Sequence, residues 1–345
     1  MRVLYIGQYK EGSTSRMRGE ILKKILNPTV FEVINTNVPI DKCVRWQKSL
    51  AYRLKMGPCI RKINKYISGL ISNVKYDLVW VDKGVFIKET TTRKIKESAL
   101  YTIHFTPDPA FTYHKSTHFY KSIKYYDMLI TTKSYEMNNF RNYIKGNQKL
   151  IYVTQGFDLT LHKNTVKFSE REFAIGFVGH HEREREITLQ LLLNHNYQLY
   201  LAGIGWESFV SKNKLSPYLK YLGKGVFGKD YAAILNTCKL ALGSVSKWVP
   251  EKHTTRTFEI PACGTVLLTE KNIEINSFFT EQEVIFYEDD KQLLSQLNWY
   301  KNNPELLEKI SENGYKKVHA SGFDYESIMS KVLEDKFRIY NTKTN

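Results

Sequence analysis

Twelve short apolar runs, in two sets of six, constrain the fold of this 345-residue chain more than any other feature. The first set begins at Arg2, Val30, Asp77, Leu100, Asp127 and Lys149, and the second at Glu172, Tyr197, Lys220, Lys239, Gly264 and Val284. Runs of this length that are rich in β-branched and aromatic residues are typical of buried parallel strands, and the segments between them are long enough for helices. The pattern predicts an α/β protein of two tandem doubly wound, Rossmann-like domains facing a cleft.

The segment 155–172 separates the two sets and has polar turn chemistry with little periodicity. We therefore expect one domain over residues 1–160 and a second over 170–330, followed by a helix and tail over 331–345. Ahead of that tail, the segment 303–318 predicts a helix that ends at Gly314.

Charge is distributed unequally between the two halves. Residues 1–170 contain 29 Lys and Arg against 13 Asp and Glu, which equals the formal net charge of +16 of the whole chain. A single-sign field over one domain attracts anionic partners, among which phospholipid, a lipid-diphosphate carrier, an acidic glycan and nucleic acid all qualify. Solvated lysines that only confer solubility are the alternative.

The cysteines and the apolar runs exclude several classes. Four cysteines lie far apart in sequence without a C-x-x-C pair, which excludes a disulfide scaffold and argues against structural zinc. No stretch of about 18 apolar residues occurs, and the apolar run at the N-terminus is too short for a signal sequence. We therefore expect a cytoplasmic protein that at most lies on the inner face of a membrane.

The segment 251–270 carries the sharpest chemical pattern. It predicts a polar loop, a short helix from Arg256 to Ala262, a break at Gly264 and a buried strand. The helix N-terminus suits a diphosphate, and the Arg256 guanidinium can grip phosphate oxygens in a bidentate fashion. Glu259 would accept hydrogen bonds from ribose hydroxyls, and Glu251 would face the sugar hydroxyls. Thr257, Gly264 and Thr265 complete the donor-side candidates of this segment.

A second candidate follows the first strand of the second domain. A glycine turn at Gly179 leads directly into a helix start, an arrangement that can hold a phosphate group with Arg183 or Arg185 neutralising its charge. The neighbouring His180 and His181 lack a third ligand at a suitable spacing, so we expect no metal. Likewise, the acidic run 288–290 precedes a helical segment, where such residues commonly cap the helix.

At this point the sequence resembles a known family. Two segments are similar to the nucleotide-sugar-binding half of spore-maturation-type (CgeB-like) glycosyltransferases, which have the two-domain GT-B architecture. These segments are RTFEIPACGTVLLTE and FYEDDKQLLSQLNWYKNNPELLEKISENGYKKV. A weaker resemblance runs through TSRMRGEIL, VDKG, TPDP, TTKS and QGFD. The resemblance implies a nucleotide-diphosphate sugar as co-substrate and no cofactor.

In such enzymes a Glu-x7-Glu pair holds the transferred sugar and the ribose, and Glu251 and Glu259 match that spacing. The sequence KHTTRTF departs from the usual glycine-rich stretch between the two glutamates. An arginine about six residues past the glycine is common in the family, which favours Arg185 over Arg183.

In the first domain, candidates follow the ends of predicted strands. Arg16 and Arg18 lie after the first strand, and Lys83 follows the third, where an acceptor would bind. His104 and Asp108 lie at the end of the fourth run. If the reaction inverts the anomeric centre, one of them is expected to remove the acceptor proton; if it retains, they only orient substrates. The Pro-Asp-Pro sequence is also an ordinary turn.

The segment 42–75 combines nine Lys and Arg residues, no acidic residue and apolar positions at helical spacing, interrupted at Gly57-Pro58. Interleaved Trp46, Tyr52 and Tyr66 make it suitable for an anionic membrane surface or, alternatively, a nucleic acid backbone. An ordinary helix that packs on the first domain's sheet is the third interpretation.

Together these features predict a metal-independent glycosyltransferase that moves a hexosyl or pentosyl unit from a nucleotide-diphosphate sugar to an anionic or lipid-linked glycan acceptor, in cell-envelope polysaccharide synthesis. A phage-type transferase acting on DNA bases and a non-catalytic nucleotide-sugar- or glycan-binding protein remain as alternatives. A UDP-sugar epimerase would leave the basic first half unexplained.

Overall fold

The computed structural model describes residues 1–71 and 74–337. It divides into two compact units, one formed by Met1–Thr154 with residues 328–337, and the other by Gln155–Ser327. The division thus falls at the start of the predicted 155–172 boundary. Residues 328–337 belong to the first unit, whereas the sequence predicted a second domain reaching residue 330 and a separate tail over 331–345, of which residues 338–345 lie outside the described part of the chain.

The first unit contains a six-stranded parallel sheet in the order β2-β1-β3-β4-β5-β6. Its strands are β1 (Arg2–Gly7), β2 (Val30–Asn35), β3 (Tyr76–Asp82), β4 (Ala99–Thr106), β5 (Met128–Thr131) and β6 (Lys149–Tyr152). Its helices are α1 (Thr14–Leu26), α2 (Asn37–Asp41), α3 (Arg45–Leu54), α4 (Pro58–Leu70), α5 (Glu89–Glu97), α6 (Thr117–Ser122) and α7 (Met137–Arg141), with 3₁₀ turns at Ile123–Tyr125 and Ser134–Glu136.

The second unit repeats the plan with a parallel sheet in the order β12-β11-β10-β7-β8-β9. Its strands are β7 (Glu172–Val178), β8 (Gln198–Ala202), β9 (Leu219–Tyr221), β10 (Cys238–Leu242), β11 (Val266–Glu270) and β12 (Ile285–Tyr287). A 3₁₀ turn at Phe168–Glu170 precedes helices α8 (Arg183–Asn194), α9 (Glu207–Lys212), α10 (Gly228–Thr237), α11 (Arg256–Ala262), α12 (Ile273–Phe278), α13 (Asp290–Asn302) and α14 (Pro304–Ala320). Helix α15 (Tyr325–Leu333) contains the division between the units.

All twelve predicted runs are strands, and the predicted class of two doubly wound α/β domains is confirmed. Each strand is nearly solid with apolar side chains because helices cover both faces of a parallel sheet. The central strand β3 shows this clearly, since Leu78, Val79, Trp80 and Val81 are all fully buried. Separate apolar clusters fill the two units.

The basic segment 42–75 contains two helices that behave differently. Helix α4 buries Cys59, Ile60, Ile63 and Ile67 in the core of the first unit, which is the ordinary packing interpretation. Helix α3 buries only Ala51. The large apolar side chains on and beside α3 are exposed to solvent: Val44, Trp46, Tyr52, Leu54 and Met56. Residues 72 and 73 of the segment lie outside the described part of the chain.

The prediction that Gly314 ends a helix is wrong, because α14 continues through it to Ala320. A Cβ atom at this position would lie 2.5 Å from the carbonyl oxygen of Glu283 and 3.4 Å from Pro261 Cβ. The glycine therefore serves close packing of α14 against its neighbours, a role that local sequence does not distinguish from helix termination.

Candidate functional site

The strand order of the second sheet places a topological switch point between β7 and β10. From β7 the chain proceeds through β8 and β9 toward one edge, and from β10 through β11 and β12 toward the other. Doubly wound sheets bind ligands outside the carboxyl ends of the strands at such a point. Here the segment Gly179–Glu182 follows β7, and the segment Gly243–Thr255 follows β10.

Arg256 joins the two segments at this switch point. Its Nη1 donates to the carbonyl of Val178 at 3.0 Å, and its Nη2 donates to the carbonyl of Ser244 at 3.1 Å. A Cβ atom on Gly179 would lie 2.7 Å from Arg256 Nη1, so the glycine is required for this approach. The guanidinium is thus fixed in orientation at the edge of the sheet where a ligand would bind.

Arg185 lies beside it, on the first turn of α8. Its side chain is buried, and Nη1 donates to the carbonyl of His180 at 2.9 Å and pairs with Glu182 Oε1 at 2.8 Å. Burial, and secondarily the charge of Arg256, lowers the pKa of Arg185 to about 10. Two guanidinium groups, which we call the arginine pair, are therefore held close enough to repel each other.

The arginine pair retains unused hydrogen-bonding capacity. The Nε atoms of Arg185 and Arg256 are both buried, and neither has a hydrogen-bond partner among the described residues. Buried donors without partners are uncommon and costly, most of all on a charged group. An anion with several oxygens would satisfy the donors and relieve the repulsion, as a diphosphate does.

Glu182 is a site residue that the sequence analysis missed. Besides pairing with Arg185, its carboxylate accepts hydrogen bonds from Ser246 Oγ at 3.1 Å and from the Lys247 backbone N–H at 3.0 Å. These hydrogen bonds connect the segment after β10 to the segment after β7. In the sequence Glu182 is indistinguishable from an ordinary acidic residue preceding a helix.

Glu259 is buried one turn into α11 and has protein partners. Its Oε2 accepts from the hydroxyls of Tyr231 and Thr255, each at 3.0 Å. Oε1 lies 3.8 Å from His162 Nε2, and among the described residues it accepts no hydrogen bond. His162 Nδ1 accepts from the Asp158 N–H, so Nε2 carries the proton of the neutral ring. Oε1 is thus the oxygen left for a donor hydroxyl.

The other candidates of this unit lie in different settings. Glu251 is half-buried in the loop before α11, and its charge acts on Arg185. Arg183, the first residue of α8, is exposed. Thr257 is fully buried and its hydroxyl accepts from the Thr254 N–H at 3.1 Å, which makes it a local cap rather than a group presented to a ligand.

Gly264 and Thr265 lie at the wrong end of the sheet for the predicted donor contact. Helix α11 begins at the carboxyl edge, so the chain after it enters β11 from the amino edge. There Arg171 Nη1 donates to the carbonyl of Gly264 at 2.8 Å and to Thr265 Oγ1 at 2.9 Å. Both residues stabilise the far edge of the sheet instead.

The first sheet has its own switch point, between β1 and β3. A pocket with a cavity volume of about 70 Å³ lies at the carboxyl ends of β1, β2 and β3. Its lining is mainly apolar, with two lysines and a histidine among the polar groups: Ile6, Gln8, Thr36, Ile40, Tyr52, Lys55, Ile63, Asp82, Lys83, Gly84, Val85, Phe86, Ile87 and His114.

Lys83, Asp108 and His114 form a polar cluster beside this pocket. Lys83 has a left-handed backbone with φ of 69°, and its ammonium pairs with the Asp108 carboxylate. His114 Nε2 lies 3.9 Å from Asp108 Oδ2. Burial acts to raise the pKa of Asp108, but the charge and hydrogen bond of Lys83, together with the charges of His114 and Lys133, outweigh burial and hold that pKa at about 2. Burial lowers the pKa of His114 to about 4, so the ring is neutral near pH 7. The sequence analysis did not select His114.

A buried carboxylate holds the loop that carries this cluster. Glu136 accepts from the N–H groups of Ala110, Phe111 and Thr112 at 2.7, 3.0 and 3.1 Å, and from the Thr112 hydroxyl at 3.1 Å. Four hydrogen bonds to one buried carboxylate fix the backbone of the loop between Asp108 and His114.

Arg18, predicted to contact an acceptor substrate, is instead buried inside the first unit. Its guanidinium is buried and binds Asp82 in a bidentate manner, with Nε to Oδ2 at 2.7 Å and Nη2 to Oδ1 at 3.0 Å. It also lies over the Phe105 ring. The pair fixes Asp82 in the pocket lining. Arg16 is half-buried, faces Glu20 at 3.8 Å and lies near the Tyr9 ring.

His104 is fully buried among aromatic rings, stacked on Phe119 and tilted against Tyr126. Its Nδ1 shares a hydrogen bond with the Thr106 hydroxyl at 2.9 Å. Burial lowers its pKa to about 3. The ring is therefore enclosed by other side chains, whereas Asp108 and His114 are half-buried.

No group of three His, Cys, Asp or Glu side chains in residues 1–71 and 74–337 is arranged to hold a metal ion. The acidic run before α13 is a helix cap, because Asp289 accepts from the Gln292 N–H at 2.7 Å. His181 pairs with Glu186 at 2.5 Å.

No helix in the described part of the chain has the length and apolar character needed to cross a bilayer.

Comparison with known proteins agrees with this architecture. Residues 183–334 match a family model described as glycosyl transferase-like. No curated protein matches the chain in sequence. Among solved structures, Anabaena HepE in complex with UDP-glucose superposes with a TM-score of 0.64 at 14% identity, covering 97% of this chain and 99% of that one. Sucrose-phosphate synthase from Thermosynechococcus elongatus gives 0.68 at 12% identity, covering 97% and 99%. A glycosyltransferase from Rickettsia africae gives 0.62 at 13%, covering 97% of each chain. The fold is that of GT-B glycosyltransferases, and the second unit carries the glycosyl transferase-like sequence.

Proposed function

We propose that this protein is a glycosyltransferase that uses a nucleotide-diphosphate sugar as donor and binds it in the second unit. The arginine pair carries the proposal, because the buried Arg185 and the half-buried Arg256, each with an unpartnered Nε–H group, lie at the switch point of a glycosyl transferase-like domain. The binding of UDP-glucose by HepE, a protein of similar fold, supports the donor class. The spore-maturation-type subfamily stays a prediction.

In this mechanism the arginine pair acts mainly on the leaving group. Cleavage of the bond between the sugar and the diphosphate leaves additional negative charge on the diphosphate oxygens. Cations that are already oriented and partly desolvated stabilise that charge without reorganising. Arg256 is oriented by two backbone carbonyls and Arg185 by Glu182 and His180. Such a site needs no metal, and undiminished turnover in excess chelator is the result that this proposal requires.

Glu259 and Glu251 complete the proposed donor site, the first through ribose hydroxyls and the second through the sugar. If transfer inverts the anomeric centre, Asp108 or the neighbouring neutral His114 removes the acceptor proton. The basic first unit supports an anionic or lipid-linked glycan acceptor, and envelope polysaccharide synthesis at the inner face of the membrane is the setting that suits it.

A nucleotide screen tests the donor assignment. We expect one nucleotide class among UDP, GDP, TDP and CMP to raise the melting temperature, since a ligand at about 100 times its Kd stabilises by about 2.7 kcal/mol. Glu259→Gln should reduce this rise in melting temperature, because it removes the negative charge of the carboxylate whose Oε1 would accept a hydrogen bond from a ribose hydroxyl. Glu305→Gln, at an exposed position on α14, should not reduce it. Absence of a shift with every nucleotide and nucleotide sugar would contradict the donor proposal.

We further infer that α3 and its flanking residues meet an anionic membrane surface. Val44, Trp46, Leu54 and Met56 are all more than half exposed, and Arg45 and Arg53 are exposed beside them. Apolar side chains that insert between headgroups, flanked by cations, are the pattern of an interfacial helix.

Vesicle sedimentation tests this surface. The protein should sediment with vesicles containing phosphatidylglycerol, less so as salt rises, and the double variant Trp46→Ser/Leu54→Ser should remain in solution. Leu215→Ser is the matched control, since Leu215 is 89% exposed but lies in the second unit. Strong salt-dependent binding to duplex DNA without vesicle binding would favour the DNA-base alternative instead.

A further inference from the structure

The pocket at the switch point of the first sheet has walls of unusual composition for a sugar site. Ile40, Ile63 and Phe86 are among its mostly apolar lining residues, and sugar hydroxyls would find few partners there. The polar groups at its mouth are mainly cationic or neutral, since Asp82 is already bound by Arg18. An apolar group therefore suits the interior of this pocket.

Lys55 gives the pocket a buried positive charge. The residue is 8% exposed, its ammonium donates to the Tyr52 carbonyl and lies 5.5 Å from the centre of the Phe86 ring. Among the described residues no carboxylate pairs with it. Burial, and then the nearby charge of Lys83, lowers the pKa of Lys55. A buried ammonium without an anionic partner is costly, and an anion in the pocket would offset that cost.

Lys83 supplies the second cation, and it shares its charge with Asp108. Its side chain is 36% exposed, so it can reach both the carboxylate and a ligand at the pocket mouth. Two ammonium groups acting as point charges suit a phosphate group, which carries up to two negative charges. The apolar lining then receives whatever the phosphate is attached to.

The exposed α3 surface next to the pocket indicates that such a ligand is part of a membrane lipid. Tyr52 and Lys55 line the pocket, while their sequence neighbours Leu54 and Met56 are 61% and 62% exposed. The same short segment thus provides a wall of the pocket and the apolar, basic surface that suits a membrane. A ligand with its phosphate at the bilayer surface would meet both.

From this juxtaposition we propose that the pocket lined by Tyr52, Lys55, Lys83 and Phe86 binds a phosphate group attached to an apolar chain. The proposal rests on the proposed function, in which this ligand is the lipid-phosphate end of the acceptor. Lys55 and Lys83 hold the phosphate, and the apolar lining holds the first part of the chain. A free phosphate lacks the group that fills the apolar walls.

Calorimetric titration with octyl phosphate below its micelle concentration tests the proposal on the full-length protein. We expect saturable binding with one site per chain. Inorganic phosphate should bind at least about tenfold more weakly because it lacks the apolar chain, and octyl glucoside should do so because it lacks the charge. Lys55→Gln should weaken octyl phosphate binding by a similar factor, whereas Lys115→Gln, an exposed residue next to His114 that does not line the pocket, should not.

Lys83→Gln is the second variant should Lys55→Gln fail to fold, because the Lys83 side chain is more exposed. Equal binding by the wild type and a folded Lys55→Gln protein would overturn the proposal, as would equally tight binding of inorganic phosphate or octyl glucoside. Titration of the same wild-type protein with UDP, GDP, TDP and CMP separates the two hypotheses. If one nucleotide binds and octyl phosphate does not, only the pocket proposal is rejected. If octyl phosphate binds and none of the nucleotides does, the donor assignment is rejected.

Discussion

Arg185→Met should lower kcat/KM for sugar transfer by about 10²–10³, the usual effect of removing one preorganised donor from a developing anion. The side chain is buried and its Nε–H has no partner among the described residues, so its remaining hydrogen-bonding capacity is available to the diphosphate. We expect the Kd of the nucleotide diphosphate to rise as well, by more than the Kd of the nucleoside monophosphate. Titration calorimetry and initial rates with the donor identified by the screen measure both effects.

The controls for this prediction come from the same helix and the same pair. Arg183→Met removes an exposed guanidinium two residues away and should leave both constants within about twofold, because a surface charge contributes little. Arg256→Lys retains the charge but loses the fork that binds the Val178 and Ser244 carbonyls, so it should also lower kcat/KM. If Arg183→Met and Arg185→Met had equal effects, the arginine pair would not be the diphosphate site.

Asp108→Asn should reduce kcat by about 10²–10⁴ in an inverting reaction while leaving nucleotide binding unchanged, since it removes a proton acceptor and not a donor contact. The pKa of Asp108 is about 2 and that of His114 about 4, so both groups keep their neutral-pH charge state down to about pH 5. The wild-type rate should therefore show no acid limb from these groups between pH 7 and pH 5. Steady-state kinetics across that range check both statements.

His114→Asn separates the two proton-transfer candidates. If His114 is the base and Asp108 orients it, both variants should lose activity to a similar extent, because the ring lies 3.9 Å from the carboxylate and the two act together. If Asp108 alone is the base, His114→Asn retains most of the rate. Full activity in Asp108→Asn would contradict a base role and leave the carboxylate only as the partner of Lys83.

The elements that carry the proposed donor site were predictable because their signals are local in sequence. The start of α11 at Arg256 and the end of β7 before Gly179 follow from a turn glycine and the change from strand to helix periodicity. Gly264 and Thr265 were assigned wrongly for the same reason, since proximity along the chain does not reveal which edge of a sheet a residue reaches. One helix carries the chain from one edge of the sheet to the other.

In the first unit, the site residues were predicted from their positions at the ends of strands. Burial in the structure then distinguishes those enclosed in the core from those that are partly exposed. Arg18 and Asp82 are 64 residues apart, and their pairing removes both from direct contact with solvent. His104 faces an aromatic cluster, whereas Asp108, four residues later, is beyond the end of β4 and partly exposed. A strand alternates its side chains between faces, and the surroundings of each face come from distant segments.

The sequence by itself determined the two α/β domains, their twelve strands and the positions of Arg185 and Arg256 at helix starts that follow strands or loops, because strand and helix periodicity and turn residues act over a few neighbouring residues. Only the tertiary structure decided that α4 is buried while α3 stays exposed, that Lys55 has no anionic partner in the described part of the chain, and that His114 lies beside Asp108. Burial and charge pairing depend on which distant segments meet, and local sequence carries no record of those contacts.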